Sequence, residues 1–168
     1  MNESTVLVTG ATGGIGLHIA RQFADQGWTV LVGARNEARG AEVADQIGCR
    51  PLLLDVTDAE SIKTAAATVS ELDVLVNNAG ISLDTGARVT ETDVEVFRRT
   101  YETNVFGVVS VTNAFLPALR RSAHPRIVNV SSGTGSLTWS TSPNPQFDYR
   151  AAGTGSGAAY RSSKLRRP

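Results

Sequence analysis

Tyr160 and Lys164 stand four positions apart in the run Tyr160-Arg161-Ser162-Ser163-Lys164. That spacing puts both side chains on one face if the stretch is helical. A free phenol titrates near pH ~10 and is a poor acid–base catalyst at neutral pH. A neighbouring ammonium favours the phenolate and lowers that value. The pair is therefore suited to exchanging a proton with an oxygen atom. A second constellation lies near the N-terminus. There Thr9-Gly10-Ala11-Thr12-Gly13-Gly14-Ile15-Gly16 joins the apolar run Val6-Leu7-Val8 to a helical pattern. Glycines at such a turn let the backbone approach a phosphate, and the helix N-terminus offers N–H groups and partial positive charge. A plain tight turn would use similar residues. The strand–turn–helix setting favours phosphate binding, assigned here to Gly10, Thr12, Gly13, Gly14, Ile15 and Gly16.

The elements that would position these groups alternate along the chain. Val6-Leu7-Val8 leads to a helix through Gln26, and Thr29-Val30-Leu31-Val32 to a helix over Glu37–Ile47. Pro51-Leu52-Leu53-Leu54 leads to a helix over Asp58–Ser70, which Asp58 can cap. Val74-Leu75-Val76 leads to a long helix over Glu91–Arg120, started by Thr90 or Thr92 and kinked or broken early by Pro117. Arg126–Val130 reads as a fifth strand. Continuous apolar strands indicate a parallel sheet covered on both faces. The alternation predicts a doubly wound α/β domain of Rossmann type, with strand order 3-2-1-4-5. One domain spans residues 1–168, and the Ser-, Gly-, Thr- and Pro-rich stretch 131–157 reads as a long loop.

Composition narrows the function classes. Lys+Arg and Asp+Glu number 16 each, so nothing points to nucleic acid or an acidic membrane surface. No apolar run approaches ~18 residues, so no membrane span is expected. The N-terminal residues lack a secretory pattern, and a cytoplasmic location is expected. Cys49 is alone, and His18 and His124 are isolated, so no metal site is expected and these residues read as structural.

The end of the second strand bears on cofactor choice. NAD-binding domains place an acidic residue there, against the ribose hydroxyls. Here the strand ends Gly33-Ala34-Arg35, with no acid before Glu37. An Arg can pair instead with the 2′-phosphate of NADP. A solvated surface Arg is the bland alternative. NADP (NADPH) is expected in preference to NAD.

Six short motifs now occur in order: the turn Thr9–Gly16, Asp55-Val56, Asn77-Asn78-Ala79-Gly80, Asn104 in Thr103–Gly107, Val128–Ser132, and the Tyr160/Lys164 pair. In that order the chain resembles the short-chain dehydrogenases/reductases, up to Lys164. The resemblance implies an oxidoreductase transferring hydride between a nicotinamide and a small-molecule carbonyl or alcohol. It implies Asn104, Ser132, Tyr160 and Lys164 as the catalytic tetrad, with Ser132 favoured over Ser131. It places Asp55 and Val56 beside the adenine, and Asn78, Ala79 and Gly80 at the adenosine ribose.

Two departures from the family pattern stand out. The interval from Ser132 to Tyr160 is longer than in most of the family and resembles the carbonyl-reductase branch. Trp139, Phe147 and Tyr149 in that interval suit either a substrate wall or local anchors for the loop. The ending Leu165-Arg166-Arg167-Pro168 does not resemble the family's continuation. A C-terminal truncation is therefore expected, whether natural, frameshifted or artificial, and the family's last strands are missing. The final helix then has only about ten residues and is marginal without packing. The fifth strand becomes an exposed edge, and self-association through it and the uncovered helices is expected. Besides the oxidoreductase reading, a nucleotide-binding module with little catalysis and a truncated relic remain open.

Overall fold

Val6, Leu7 and Val8 are all fully buried, as a strand covered on both faces requires. They belong to β1 (Thr5–Thr9) in a computed structural model that describes residues 4–84, 89–138 and 157–165. Trp139, Phe147, Tyr149 and most of the expected loop lie outside the described residues. The chain divides into two units, one of residues 1–79 and 107–130, the other of 80–106 and 131–168.

The first unit holds β1, α1 (Gly14–Asp25), β2 (Thr29–Ala34), α2 (Glu37–Gln46), β3 (Arg50–Leu53), α3 (Ala59–Ala67) and β4 (Val74–Asn77). The second unit's α4 (Val94–Tyr101) comes next in the chain, before α5 (Gly107–Leu119) and β5 (Arg126–Asn129) return to the first. All strand pairs are parallel and the order is β3-β2-β1-β4-β5, as the sequence predicts. Side chains alternate across the sheet. Leu7, Leu31 and Leu75 face one layer with Ile62 and Ala65 of α3 and Val111 and Phe115 of α5. Val6, Val8, Val32 and Val76 face the other layer with Ala20 of α1 and Val43 of α2, and Cys49 packs against it. Helices thus cover both faces, which makes the sheet doubly wound.

Only the central strands are buried along their length. β3 and β5 each have a strand neighbour on one side, and Leu53, Ile127 and Val128 are about half exposed. Asn36 caps α2 through the Arg39 N–H, and Asp58 caps α3 through the Glu60 N–H. No helix among the described residues is long and apolar enough to cross a membrane.

The expected helix over Glu91–Arg120 is not continuous. A 3₁₀ turn at Val89–Glu91 precedes α4, a π turn at Glu102–Phe106 follows it, and only then does α5 begin. Asp93, rather than Thr90 or Thr92, caps α4, its carboxylate accepting the Glu95 N–H. Pro117 does not end α5 at the preceding residue, and the helix runs on to Leu119. The second unit also holds a 3₁₀ turn at Gly133–Gly135 and α6 (Ala158–Ser163), which packs against that turn and against α4.

Candidate active site

In the first unit the loop from β1 to α1 is shaped by close backbone packing. Gly13 is the N-cap of α1 and no side chain caps the helix, so its first N–H groups are not met by a capping oxygen. A Cβ added at Gly13 or Gly14 would meet nothing within 4 Å. Gly16 is the opposite case: a Cβ there would overlap the Asn78 amide and come 2.6 Å from the Gly10 carbonyl oxygen. Ile15 is 65% exposed, and Thr12 is half-buried. Open space beside uncapped N–H groups fits a diphosphate.

Thr9, part of the motif but not itself expected to act, braces this loop. Its buried Oγ1 accepts the N–H groups of Asn78 and Ala79, both at 3.0 Å. Asn78 Nδ2 returns hydrogen bonds to the carbonyls of Thr9 (2.9 Å) and Gly10 (3.2 Å). Arg35 is exposed just past β2. Asp55 follows β3, where its carboxylate accepts from the Thr57 N–H (2.9 Å) and hydroxyl (2.8 Å). Val56 packs at the rim of the core. Gly10–Gly16, Arg35, Asp55, Val56, Asn78 and Ala79 therefore all follow C-terminal ends of parallel strands, the edge where such sheets bind ligands. Gly80 is the first residue of the second unit.

The second unit contains Asn104, Ser132, Tyr160 and Lys164 together. Asn104 is 5% exposed and sits in the π turn, a helical defect often found at functional sites. Its Oδ1 accepts the Ile81 N–H at 2.8 Å. Its Nδ2 donates to the Ile81 carbonyl and to Ser163 Oγ, both at 2.9 Å. Ser163 Oγ in turn donates to the Tyr160 carbonyl at 2.7 Å. Asn104 thus reaches α6 directly, through a serine that sequence reasoning passed over as a spacer between Tyr160 and Lys164.

Ser132 caps the 3₁₀ turn, with its hydroxyl 2.8 Å from the Thr134 hydroxyl. Arg161 Nε donates to the Thr134 carbonyl (3.3 Å), and Ser131 Oγ to the Lys164 carbonyl (3.4 Å). A Cβ at Gly135 would overlap the Lys164 carbonyl, so glycine is what lets this turn lie against the end of α6. Tyr160 and Lys164 are both half-buried. Burial pushes the Lys164 ammonium below its usual pKa.

The family model described as short chain dehydrogenase matches residues 4–144. The chain belongs to the short-chain dehydrogenase family. A short-chain dehydrogenase of Penicillium roqueforti is 38% identical over 160 residues, covering 88% of this chain and 63% of that protein. The (+)-neomenthol dehydrogenase of Arabidopsis thaliana is 37% identical, covering 78% of this chain and 54% of that enzyme. Among solved structures, a serine dehydrogenase in its closed form with NADP+ superimposes with TM-score 0.78 at 32% identity. It covers 95% of this chain, and this chain covers 60% of it. This chain therefore spans between about half and two thirds of the length of these relatives.

Two measurements check this geometry. Gly16→Ala should lower stability by about 1–3 kcal/mol in urea unfolding, because overpacking forces backbone shifts. Gly13→Ala should leave the urea midpoint in place and weaken dinucleotide binding by filling the open space. The reverse pattern would mean that the two glycines have been given each other's roles. The second measurement concerns Lys164. Between its lowered native pKa and the ordinary 10.5, the unfolded chain keeps a proton that the native chain has released. Stability therefore rises with pH across that window. In Lys164→Met this contribution should vanish, so the wild type should gain on the variant as pH approaches 10.5. A constant difference would contradict a desolvated ammonium.

Proposed function

We propose that the chain carries the NADP-binding region and the acid–base groups of an oxidoreductase acting on a small carbonyl or alcohol. The observation that carries this reading is the union of Asn104, Ser132, Tyr160 and Lys164 in one unit, with Asn104 hydrogen-bonded into the helix of Tyr160. When bound, NADPH supplies the hydride. The N–H groups opening α1 hold the diphosphate, and the glycines leave room for it. Arg35 meets the 2′-phosphate, with Asp55 and Val56 beside the adenine and Asn78, Ala79 and Gly80 at the ribose. The NADP+ of the structurally similar serine dehydrogenase supports the same choice here.

At the reacting end, Ser132 Oγ donates to the carbonyl oxygen and Tyr160 delivers the proton to it. Lys164 stabilises the phenolate left behind. Asn104 supports the proton path at Lys164. Its amide is fixed by Ile81 on one side and Ser163 on the other, so it enters the reaction already ordered.

The test is a titration with NADPH followed by turnover on a panel of ketones and aldehydes. Arg35→Ala should weaken NADPH binding by about 1–3 kcal/mol, the scale of a hydrogen bond to a charged group, and leave NADH binding nearly unchanged. Equal losses for both cofactors would remove Arg35 from the 2′-phosphate. Tyr160→Phe keeps the ring and loses the donor, so turnover should fall by orders of magnitude while NADPH still binds. A Tyr160→Phe chain with most of its activity would exclude this mechanism.

A further inference from the structure

We propose that Asp84 is a positioning residue for Tyr160 and Lys164, acting through the first turn of α6. This rests on the acid–base role given to that pair above. Asp84 is 2% exposed, and its Oδ2 accepts the Ala159 N–H at 2.7 Å. Its carbonyl accepts the Gly157 N–H at 3.3 Å. The first N–H groups of a helix have no acceptor within the helix, so Asp84 supplies one from outside. Ala159 directly precedes Tyr160 and is itself fully buried, so this bond sets where the tyrosine leaves the backbone.

The segment that carries Asp84 is fixed at its other end as well. Ile81 gives its N–H to Asn104 and accepts the Asn104 amide in return. Asn104 also donates to Ser163, the residue before Lys164. A ring of hydrogen bonds therefore closes through Asp84, the start of α6, the end of α6, Asn104 and Ile81. Asp84 is the corner of that ring that holds Ala159, the residue before Tyr160. Packing alone does not account for a carboxylate here. Its Oδ1 is buried without a hydrogen-bond partner among the described residues, which is costly for an acid. Ser163 and Asp84 thus hold opposite ends of one six-residue helix between them.

The experiment compares the wild-type chain with Asp84→Ala and Asp84→Asn. Asparagine retains an oxygen to accept the Ala159 N–H and nearly the same size, so it should fold about as stably as the wild type. In Asp84→Ala, hydrogen exchange at Ala159 should quicken about tenfold, while exchange in β1 stays unchanged and shows that the first unit is folded. The value of kcat per folded molecule should drop about tenfold or more, with KM for NADPH within about twofold. The kcat–pH profile should move as well. Asp84→Asn should stay near wild type in every readout. The proposal is overturned if Asp84→Ala leaves exchange at Ala159 unchanged, or keeps wild-type kcat and pH profile. An Asp84→Asn chain as impaired as Asp84→Ala also overturns it. Should the wild type itself turn over no carbonyl, the oxidoreductase reading fails, and exchange at Ala159 still decides the clamp.

Discussion

Thr9 Oγ1 receives two backbone N–H groups where β1 and β4 end, and the C-terminal edge of the sheet in the first unit is organised around that hydroxyl. A parallel ladder stops serving its strands at their C-terminal ends, which leaves backbone donors in need of acceptors. Thr9 satisfies Asn78 and Ala79 at once, and Asn78 answers by holding the carbonyls of Thr9 and Gly10. The same amide lies where a side chain at residue 16 would go, so the bracing and the glycine at position 16 are one requirement. A hydroxyl, an amide and a missing side chain together fix the loop that leads into α1.

The second unit uses a comparable economy. The Asn104 amide is fully engaged, with its oxygen on one backbone N–H and its nitrogen on two acceptors. A buried amide satisfied in this way has one orientation available to it. Through Ser163 that order passes to the Tyr160 carbonyl, and the turn capped by Ser132 is fastened to α6 by Arg161 and Ser131. Backbone groups here are held by small polar side chains. The ion pairs Arg39–Glu42 and Arg98–Glu95 are surface contacts within helices, which contribute little.

Much of this could be read from the sequence, because β-branched runs and glycine turns are local signals. The five strands, their order and the uncapped start of α1 follow from such runs. The π turn does not, because one widened turn leaves the spacing of the apolar residues almost unchanged. The start of α4 was ambiguous for another reason. Thr90, Thr92 and Asp93 are all able to cap a helix, and only the fold selects Asp93. Ser163 and Asp84 were invisible because their partners are remote, 59 and 75 positions away. A serine and an aspartate beside turn residues look like ordinary loop chemistry until those partners are known. β5 is a half-exposed edge strand, as the sequence implies, whereas β3, at the other edge and half exposed at Leu53, departs from the expectation of strands covered on both faces.

Cys49 gives the first unit an unplanned reporter. It is the sole cysteine in the sequence, half-buried between α2 and β3, with Sγ directed at the Ile47 carbonyl at 3.5 Å. Burial, and to a lesser extent Asp25, pushes its thiol pKa up, so little thiolate exists at neutral pH. An alkylating reagent therefore reacts more slowly here than at an exposed cysteine, and faster once α2 leaves β3 and uncovers the thiol. With no competing thiol in the sequence, labelling of the intact chain is a one-site chemical clock for the fraying of α2 from β3.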